Sequence, residues 1–408
     1  MPEGRLSGMT WREWSSREAL TVSPAASKVT ASLMTEHAAL GPAPVLRIGS
    51  SRIPVLRQAR MYVCGITPYE TTHVGHAATF VWADVAARVL RLAGASVDVC
   101  RNVTDVDDHL VLQAQREGVS WSSLATQETY RFERDMAALR VVRPSFEPRS
   151  RDYVDEVIAL AEELLVTGTA YARNGSVYFR GTGVAEATGL DRARAIELAG
   201  ERGGHPDDPD KDDPLDAALW QRSVGDEPAW PSPWGPGRPG WHAECTAMAL
   251  ALLGPSVDLH VGGADLEFPH HAYEAAQAEA YSGVRPFARG WLHVGAVLVE
   301  GEKMAKSAAN LVYVHDVLDR FPPGALRLLI LSRPWADPWE FDEAGLDQAA
   351  TELENLWRYG STSGDRDLAE HEVALALLDD LDVPRALEIA KEAGGQVLRD
   401  LVALLGLS

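Results

Sequence analysis

Two histidines separated by a small residue and a glycine, His73-Val74-Gly75-His76, stand between a strand-like run and a helix-like run. At a helix N-terminus, open backbone N–H groups and the positive dipole end attract anions. The two imidazoles can donate to phosphate oxygens there, and Gly75 lets a nucleotide approach the backbone. The same residues also read as two histidines in a turn. Far downstream, Lys303 and Lys306 stand three apart in Glu302-Lys303-Met304-Ala305-Lys306-Ser307, in a chain where only five of 38 basic residues are lysine. Two cations on a loop can follow charge developing on a phosphate; a solvated charged turn is the other reading. A third set comprises Cys64, Cys245, His270 and Glu274. His270 and Glu274 are four apart and share a helix face. Two thiolates, an imidazole and a carboxylate suit tetrahedral zinc. The span from Cys64 to Cys245 lies far outside compact zinc-knuckle spacings, and each cysteine alone also reads as a buried thiol.

The elements that must position these groups follow from the pattern around them. Arg60 to Gly65 reads as a buried strand ending in a glycine turn, His76 to Leu92 as a helix stopped by Gly94, and Val97 to Cys100 as a second strand. Strand, helix and strand at this spacing form a βαβ unit and imply a parallel sheet. Asn102-Val103-Thr104-Asp105 leaves the second strand where open α/β sheets place ligand-binding residues. Gly262-Gly263-Ala264-Asp265 follows another apparent strand, where glycines permit close approach and an acid accepts hydrogen bonds. Residues 151–168 have the helical period, and Asn174-Gly175 signals a hairpin. Residues 200–240, rich in Gly, Pro, Asp and Trp, read as an irregular insertion. The expected organisation is a lead-in over 1–59 whose first 33 residues are a loose extension. It continues with a first catalytic half over 60–150, an insertion over 151–240, a second half over 241–320 and a helical domain over 321–408. No GxxxxGK[ST] loop and no GxGxxG after a strand is present, so a nucleotide would have to be held another way.

Composition excludes other classes. The 408 residues carry a net charge of −21, a surface that repels polyanions. Three cysteines are too few for a disulfide framework. No run approaches the ~20 apolar residues of a membrane span, and no basic segment followed by an apolar run opens the chain. A soluble, cytoplasmic, monomeric protein is expected. Residues 361–408 hold ten acidic and four basic residues, whereas a surface that grips a nucleic-acid backbone should be basic.

Taken in order, Cys64-Gly65-Ile66-Thr67, His73-Val74-Gly75-His76, Asn102-Val103-Thr104-Asp105-Val106-Asp107-Asp108, Trp241-His242-Ala243-Glu244-Cys245, Phe268-Pro269-His270-His271 and Lys303-Met304-Ala305-Lys306-Ser307 resemble the class I cysteinyl-tRNA synthetase framework. Its HIGH and KMSKS signatures fall at the histidine pair and the lysine pair. Glu201-Arg202-Gly203-Gly204-His205-Pro206, and Trp230-Pro231-Ser232-Pro233-Trp234-Gly235 through His242, are similar to the mycothiol cysteine ligases, a synthetase-derived family. The resemblance implies a Rossmann-like α/β catalytic domain with an insertion, followed by C-terminal helices. It implies an ATP-dependent joining of L-cysteine to the amine of glucosaminyl-inositol through a cysteinyl-adenylate, with Mg²⁺ on the phosphates and no tRNA. It also implies one Zn²⁺ on Cys64, Cys245 and His270, with Glu274 a possible fourth ligand. Phosphate handling falls to His73, His76, Lys303 and Lys306. Substrate and nucleotide contacts fall to Cys64, Gly65, Ile66, Thr67, Thr79, Asn102, Val103, Thr104, Trp241, Gly263, Ala264, Asp265 and Val297. The chain departs from the ligase pattern at His205 (Asp in the motif), Ala305 (Ser), Ala264 (Ser) and Glu274. A truncated or diverged cysteinyl-tRNA synthetase, a ligase for another amine, and a non-catalytic paralogue are the alternative readings.

Overall fold

The computed structural model describes residues 43–69, 72–225, 227–305, 308–360 and 367–408. The expected extension at 1–33 and the loop lysine Lys306 lie outside them. The described chain opens on a hairpin of β1 (Val45–Ile48) and β2 (Ser51–Pro54). Four-residue strands are too short to show a period in the sequence, so the pattern does not foreshadow this hairpin within the lead-in.

β3 (Gln58–Ile66), α1 (Val74–Leu92) and β4 (Ser96–Val103) form the expected βαβ unit, with β3 and β4 parallel. Helix α1 is buried along most of its length, and its alanines at 77, 78, 83, 86 and 87 let it lie close to the sheet. Two helices follow, α2 (Asp108–Glu117) and α3 (Trp121–Ala138), then α4 (Val154–Val166). Next come β5 (Ala170–Arg173) and β6 (Ser176–Phe179), joined through Asn174 and Gly175, both at positive φ as a tight hairpin requires. After α5 (Arg192–Glu201), β7 (Ala217–Arg222) and β8 (Gly237–Pro239) complete an antiparallel sheet in the order β5-β6-β7-β8. Residues 200–240 are therefore not wholly irregular. The signal failed because Leu219 and Trp220, neighbours in β7, are both buried and break the alternation.

The chain then returns through α6 (Trp241–Leu253), β9 (Leu259–Gly263), α7 (Ala272–Ser282) and β10 (Trp291–Val294). β9 inserts between β3 and β10, giving a parallel sheet in the order β10-β9-β3-β4. A small sheet of β11 (Val297–Val299), β12 (Glu302–Lys303) and β13 (Trp339–Glu340) carries the lysine loop. Helices α8 (Pro323–Leu331), α9 (Glu343–Tyr359), α10 (Asp367–Leu378), α11 (Val383–Ala393) and α12 (Gly395–Leu404) form the C-terminal part.

One apolar core joins the parallel sheet, α1 and the C-terminal helices through Val81, Val85, Val261, Leu326, Ile330 and Leu398. A second lies under the insertion, where Val157 and Leu160 of α4 meet Leu219, Trp220, Ala243 and Tyr273. Helices α6 and α7 are thus clasped between the insertion and the main sheet. Among the described residues no helix is long and apolar enough to cross a membrane.

Candidate functional site

Cys64 comes from the C-terminal end of β3 and Cys245 from the second turn of α6. His270 and Glu274 come from a turn that breaks at Phe268 and continues into α7. All four side chains are buried, with ligand atoms within 4.8 Å of one another. Asn102 links the backbone beside Cys64 to the Cys245 thiol. It accepts from the Gly65 N–H at 2.9 Å and donates to Cys245 Sγ at 3.3 Å. Only glycine fits beside Cys64, because a Cβ at Gly65 would stand 1.7 Å from the Asn102 carbonyl oxygen. The Cys64 thiol donates to Glu274 Oε1 at 3.2 Å, and the same oxygen lies 2.7 Å from His270 Nε2. The other Glu274 oxygen is 2.8 Å from His260 Nε2 of β9. His270 is held from behind by His242, 2.8 Å away between Nδ1 atoms, and by Trp241 stacked at 4.1 Å.

Charge in this cluster is divided unevenly. Burial pushes the Cys64 thiol well up, and Cys245 and Glu274 push it further. Burial also opposes ionisation of Cys245, but hydrogen bonding from Cys64 and the nearby His270 outweigh it and bring Cys245 to about 7. Against its own burial, His270 is raised to about 10 by Glu274 and Cys245. Glu274 is also buried, yet His270 and His260 hold its carboxyl well below the usual range. Shared protons link these groups into one cluster. The same donors can hold a metal ion, and a second grouping of Cys64, His260, His271 and Glu274 adjoins it.

The histidine pair opens α1. His73 is its N-cap residue, and the His73 and His76 rings stack with centroids 3.8 Å apart. Among the described residues, neither buried Nδ1 atom has a hydrogen-bond partner. Burial, with help from His76 and Lys303, lowers His73 to about 2, and burial lowers His76 to about 4 against the pull of Asp265. Both rings are therefore neutral near pH 7. Backbone bonds from Val74 to Val312 (2.9 Å) and from Val314 to Thr72 (3.0 Å) tie this helix end to the segment after the lysine loop. The loop itself is braced by buried Met304, whose N–H donates to the Val297 carbonyl at 2.8 Å. Asn310 accepts from the Ala305 N–H at 2.9 Å and donates to the Lys303 carbonyl at 3.2 Å. Lys303 Nζ reaches Asp265 Oδ2 at 2.7 Å, and Arg202 of the insertion reaches the same oxygen at 2.9 Å.

Residues 52–351 match the model of the tRNA synthetases class I (C) catalytic domain. An L-cysteine:1D-myo-inositol 2-amino-2-deoxy-alpha-D-glucopyranoside ligase from Mycolicibacterium vanbaalenii is 44% identical over 340 residues, 81% of this chain and 79% of the relative. Its namesake from Mycolicibacterium smegmatis is 43% identical over 364 residues, covering 85% and 88%. The chain belongs to this family of cysteine ligases, built on the class I synthetase catalytic domain. A solved structure of Mycobacterium tuberculosis methionyl-tRNA synthetase in complex with methionyl-adenylate shares the fold, with a TM-score of 0.64 and 18% identity over 85% of this chain and 82% of that one.

In this member of the cysteine ligase family, the expected contact residues divide into those that face the site and those that frame it. Thr79 of α1 faces Gly263, where a Cβ would lie 3.9 Å from Thr79 Oγ1 and 2.5 Å from Asp265 Oδ1. Thr67 and Thr104 hydroxyls meet at 2.8 Å, and Thr104 donates its N–H to the Ile66 carbonyl at 2.9 Å, locking the ends of β3 and β4 together. Val103 is buried and its N–H is taken by the Pro148 carbonyl at 2.9 Å. Ala264 opens the short turn that presents Asp265. Lys306 lies outside the described residues. Four histidines given no role in the sequence reading also crowd the site: His242 and His271, which stand inside the quoted motifs, and His260 and His293. His271 Nδ1 lies 2.8 Å from His293 Nε2. The available signal was the pleat of β9: Leu259 and Val261 face the α1 core, so His260 between them must face the thiols.

Proposed function

We propose that the chain joins L-cysteine to the amine of 2-amino-2-deoxy-glucopyranosyl-inositol, with ATP converted to AMP and diphosphate. A carboxylate oxygen of cysteine attacks the α-phosphorus of ATP in line and diphosphate leaves. The sugar amine then attacks the carbonyl carbon of cysteinyl-adenylate, AMP leaves with the electrons of the anhydride bond, and the proton lost from the nitrogen passes to solvent. One observation carries this reading. A buried thiol–imidazole–carboxylate cluster and a stacked pair of imidazoles beside Lys303 converge at the C-terminal edge of one parallel sheet, where such sheets bind ligands.

Cys64, Cys245, His270 and Glu274 fit zinc by donor type and mutual distance. Bound there, the ion supplies a preference for a thiolate over a hydroxyl, and so for cysteine over serine. His242 and Trp241 hold His270 in orientation, as outer partners of metal-bound imidazoles do. Neutral His73 and His76 offer Nδ1 atoms to phosphate oxygens. Lys303, and Lys306 by its place in the sequence motif, neutralise charge as the pentavalent phosphorus forms, which is most of what catalysis of phosphoryl transfer requires. Asp265 and the Gly263 backbone receive donors of the nucleotide, which arrives with Mg²⁺. The acidic balance of residues 361–408 favours a small amine over tRNA as acceptor.

The test is ATP–diphosphate exchange dependent on cysteine, followed by incubation with glucosaminyl-inositol or with tRNA and mass analysis of the products. Cysteinyl-glucosaminyl-inositol is expected. Cysteinyl-tRNA instead would restore the synthetase reading, and absence of exchange would mean a non-catalytic paralogue.

A further inference from the structure

We propose that Arg202, which closes α5 of the insertion, is a positioning residue of the nucleotide site: it holds the Asp265 carboxylate in place when Lys303 leaves for the phosphates. The inference rests on the adenylation reading above and extends it to a residue of the insertion.

Two cations share one oxygen. Lys303 Nζ and Arg202 Nη1 approach Asp265 Oδ2 at 2.7 and 2.9 Å, from opposite parts of the chain. An incoming triphosphate therefore competes with Asp265 for the Lys303 ammonium and draws it into an exchange of partners. A bare Asp265 carboxylate beside several phosphate charges would resist that exchange, because like charges repel strongly in a partly desolvated cleft. With Arg202 present the carboxylate stays compensated and stays in place, and Lys303 carries its charge to the phosphates. Both cations take Oδ2, so Oδ1, lying over Gly263, is left for a donor on the ligand.

The local chain is built to aim this arginine. Arg202 caps α5, with its own N–H bonded back to the last helical carbonyls. Gly203 turns the chain at φ +77°, a conformation that favours glycine. Gly204 donates to the Ala199 carbonyl at 2.8 Å, and a Cβ at Gly204 would stand 2.7 Å from that oxygen. The Gly204 carbonyl accepts from Lys211, one of only five lysines, whose ammonium pins the turn. Two glycines and a scarce lysine are spent on one tight turn. Its product is a guanidinium set against the same Asp265 oxygen that Lys303 takes.

The experiment is steady-state ATP–diphosphate exchange at saturating cysteine with the zinc-loaded protein. Arg202→Ala is expected to raise KM for ATP by about tenfold, the scale of one charge-assisted hydrogen bond, and to lower kcat less. Arg202→Lys should recover most of the loss, since it restores the charge. The double variant Arg202→Ala/Asp265→Asn should be no worse than Asp265→Asn, because Arg202 acts through that carboxylate. Circular dichroism and melting of each variant separate this from misfolding, with Arg202→Gln as the replacement if Arg202→Ala does not fold. A KM within about twofold of wild type in Arg202→Ala, or losses that multiply in the double variant, would overturn the proposal. Wild-type protein lacking cysteine-dependent exchange would overturn the adenylation reading instead.

Discussion

Three thiols are buried in one neighbourhood, and their surroundings separate them. Cys100 lies among apolar groups, and burial raises it from its ordinary value. Cys64 and Cys245 touch Glu274 and Asn102, respectively, and share a metal-sized cluster with His270. Cys64→Ser and Cys245→Ser should each lose zinc and cysteine-dependent exchange, whereas Cys100→Ala should keep one zinc per chain by elemental analysis. Stoichiometric zinc in a Cys64→Ser/Cys245→Ser protein would reject the assignment. Glu274 bridges Cys64, His270 and His260 with its two oxygens. As a fourth ligand, its replacement in Glu274→Gln should change the light-atom shell seen by zinc X-ray absorption; an identical spectrum would place the carboxylate outside the coordination sphere.

At the scale of elements, the site depends on strand ends and helix starts meeting. The close approach of β3 and β4 at Gly65 and Asn102 lets one asparagine tie the strand residue after Cys64 to the helix-borne Cys245. Similarly, β11 and β12 hold the lysine loop, with Met304 buried and Asn310 bonded at both sides of it. A loop anchored in this way fixes the Lys303 backbone beside Asp265, where the proposed adenylation would use its charge on the phosphates. Lys303→Ala should therefore slow adenylation by about 10²–10³, the scale for losing one transition-state charge stabiliser. Cysteine affinity should hardly change. Rapid-quench measurement of adenylate formation checks both, and a collapse of cysteine affinity at an unchanged rate would make the loop structural.

For the whole molecule, the C-terminal helices are locked onto α1 through fully buried Arg327. It bonds to Asp84 and to the carbonyls of Leu139 and Leu405. Arg327→Met would leave Asp84 buried without this partner, and should cost about 3–5 kcal/mol in denaturant unfolding. Acid sensitivity follows from the buried histidines. His76 and His293 fall from 6.5 to about 4 in the folded chain, chiefly through burial. Above pH 6.5 both states are neutral and nothing is lost. Between pH 6.5 and about 4 the unfolded chain binds protons that the folded chain refuses, so stability falls as pH falls. His76→Gln and His293→Gln should each flatten that limb of the stability curve, read from urea midpoints at several pH values.

The linear chain by itself determined the βαβ frame, the parallel sheet, the helical C-terminal part and the histidine and lysine pairs. Each is a short-range pattern whose period, turn residue or spacing is set by local stereochemistry. His270 and Glu274 were legible together for the same reason, since a helix places residues four apart on one face. Only the tertiary structure decided that β9 lies between β3 and β10, which carries His260 to Glu274 across the sheet. It also decided that the insertion has its own sheet, and that Arg202 and Lys303 meet at Asp265 from segments about a hundred residues apart. Such encounters depend on which buried faces pack together, a property of the summed core that no local period records.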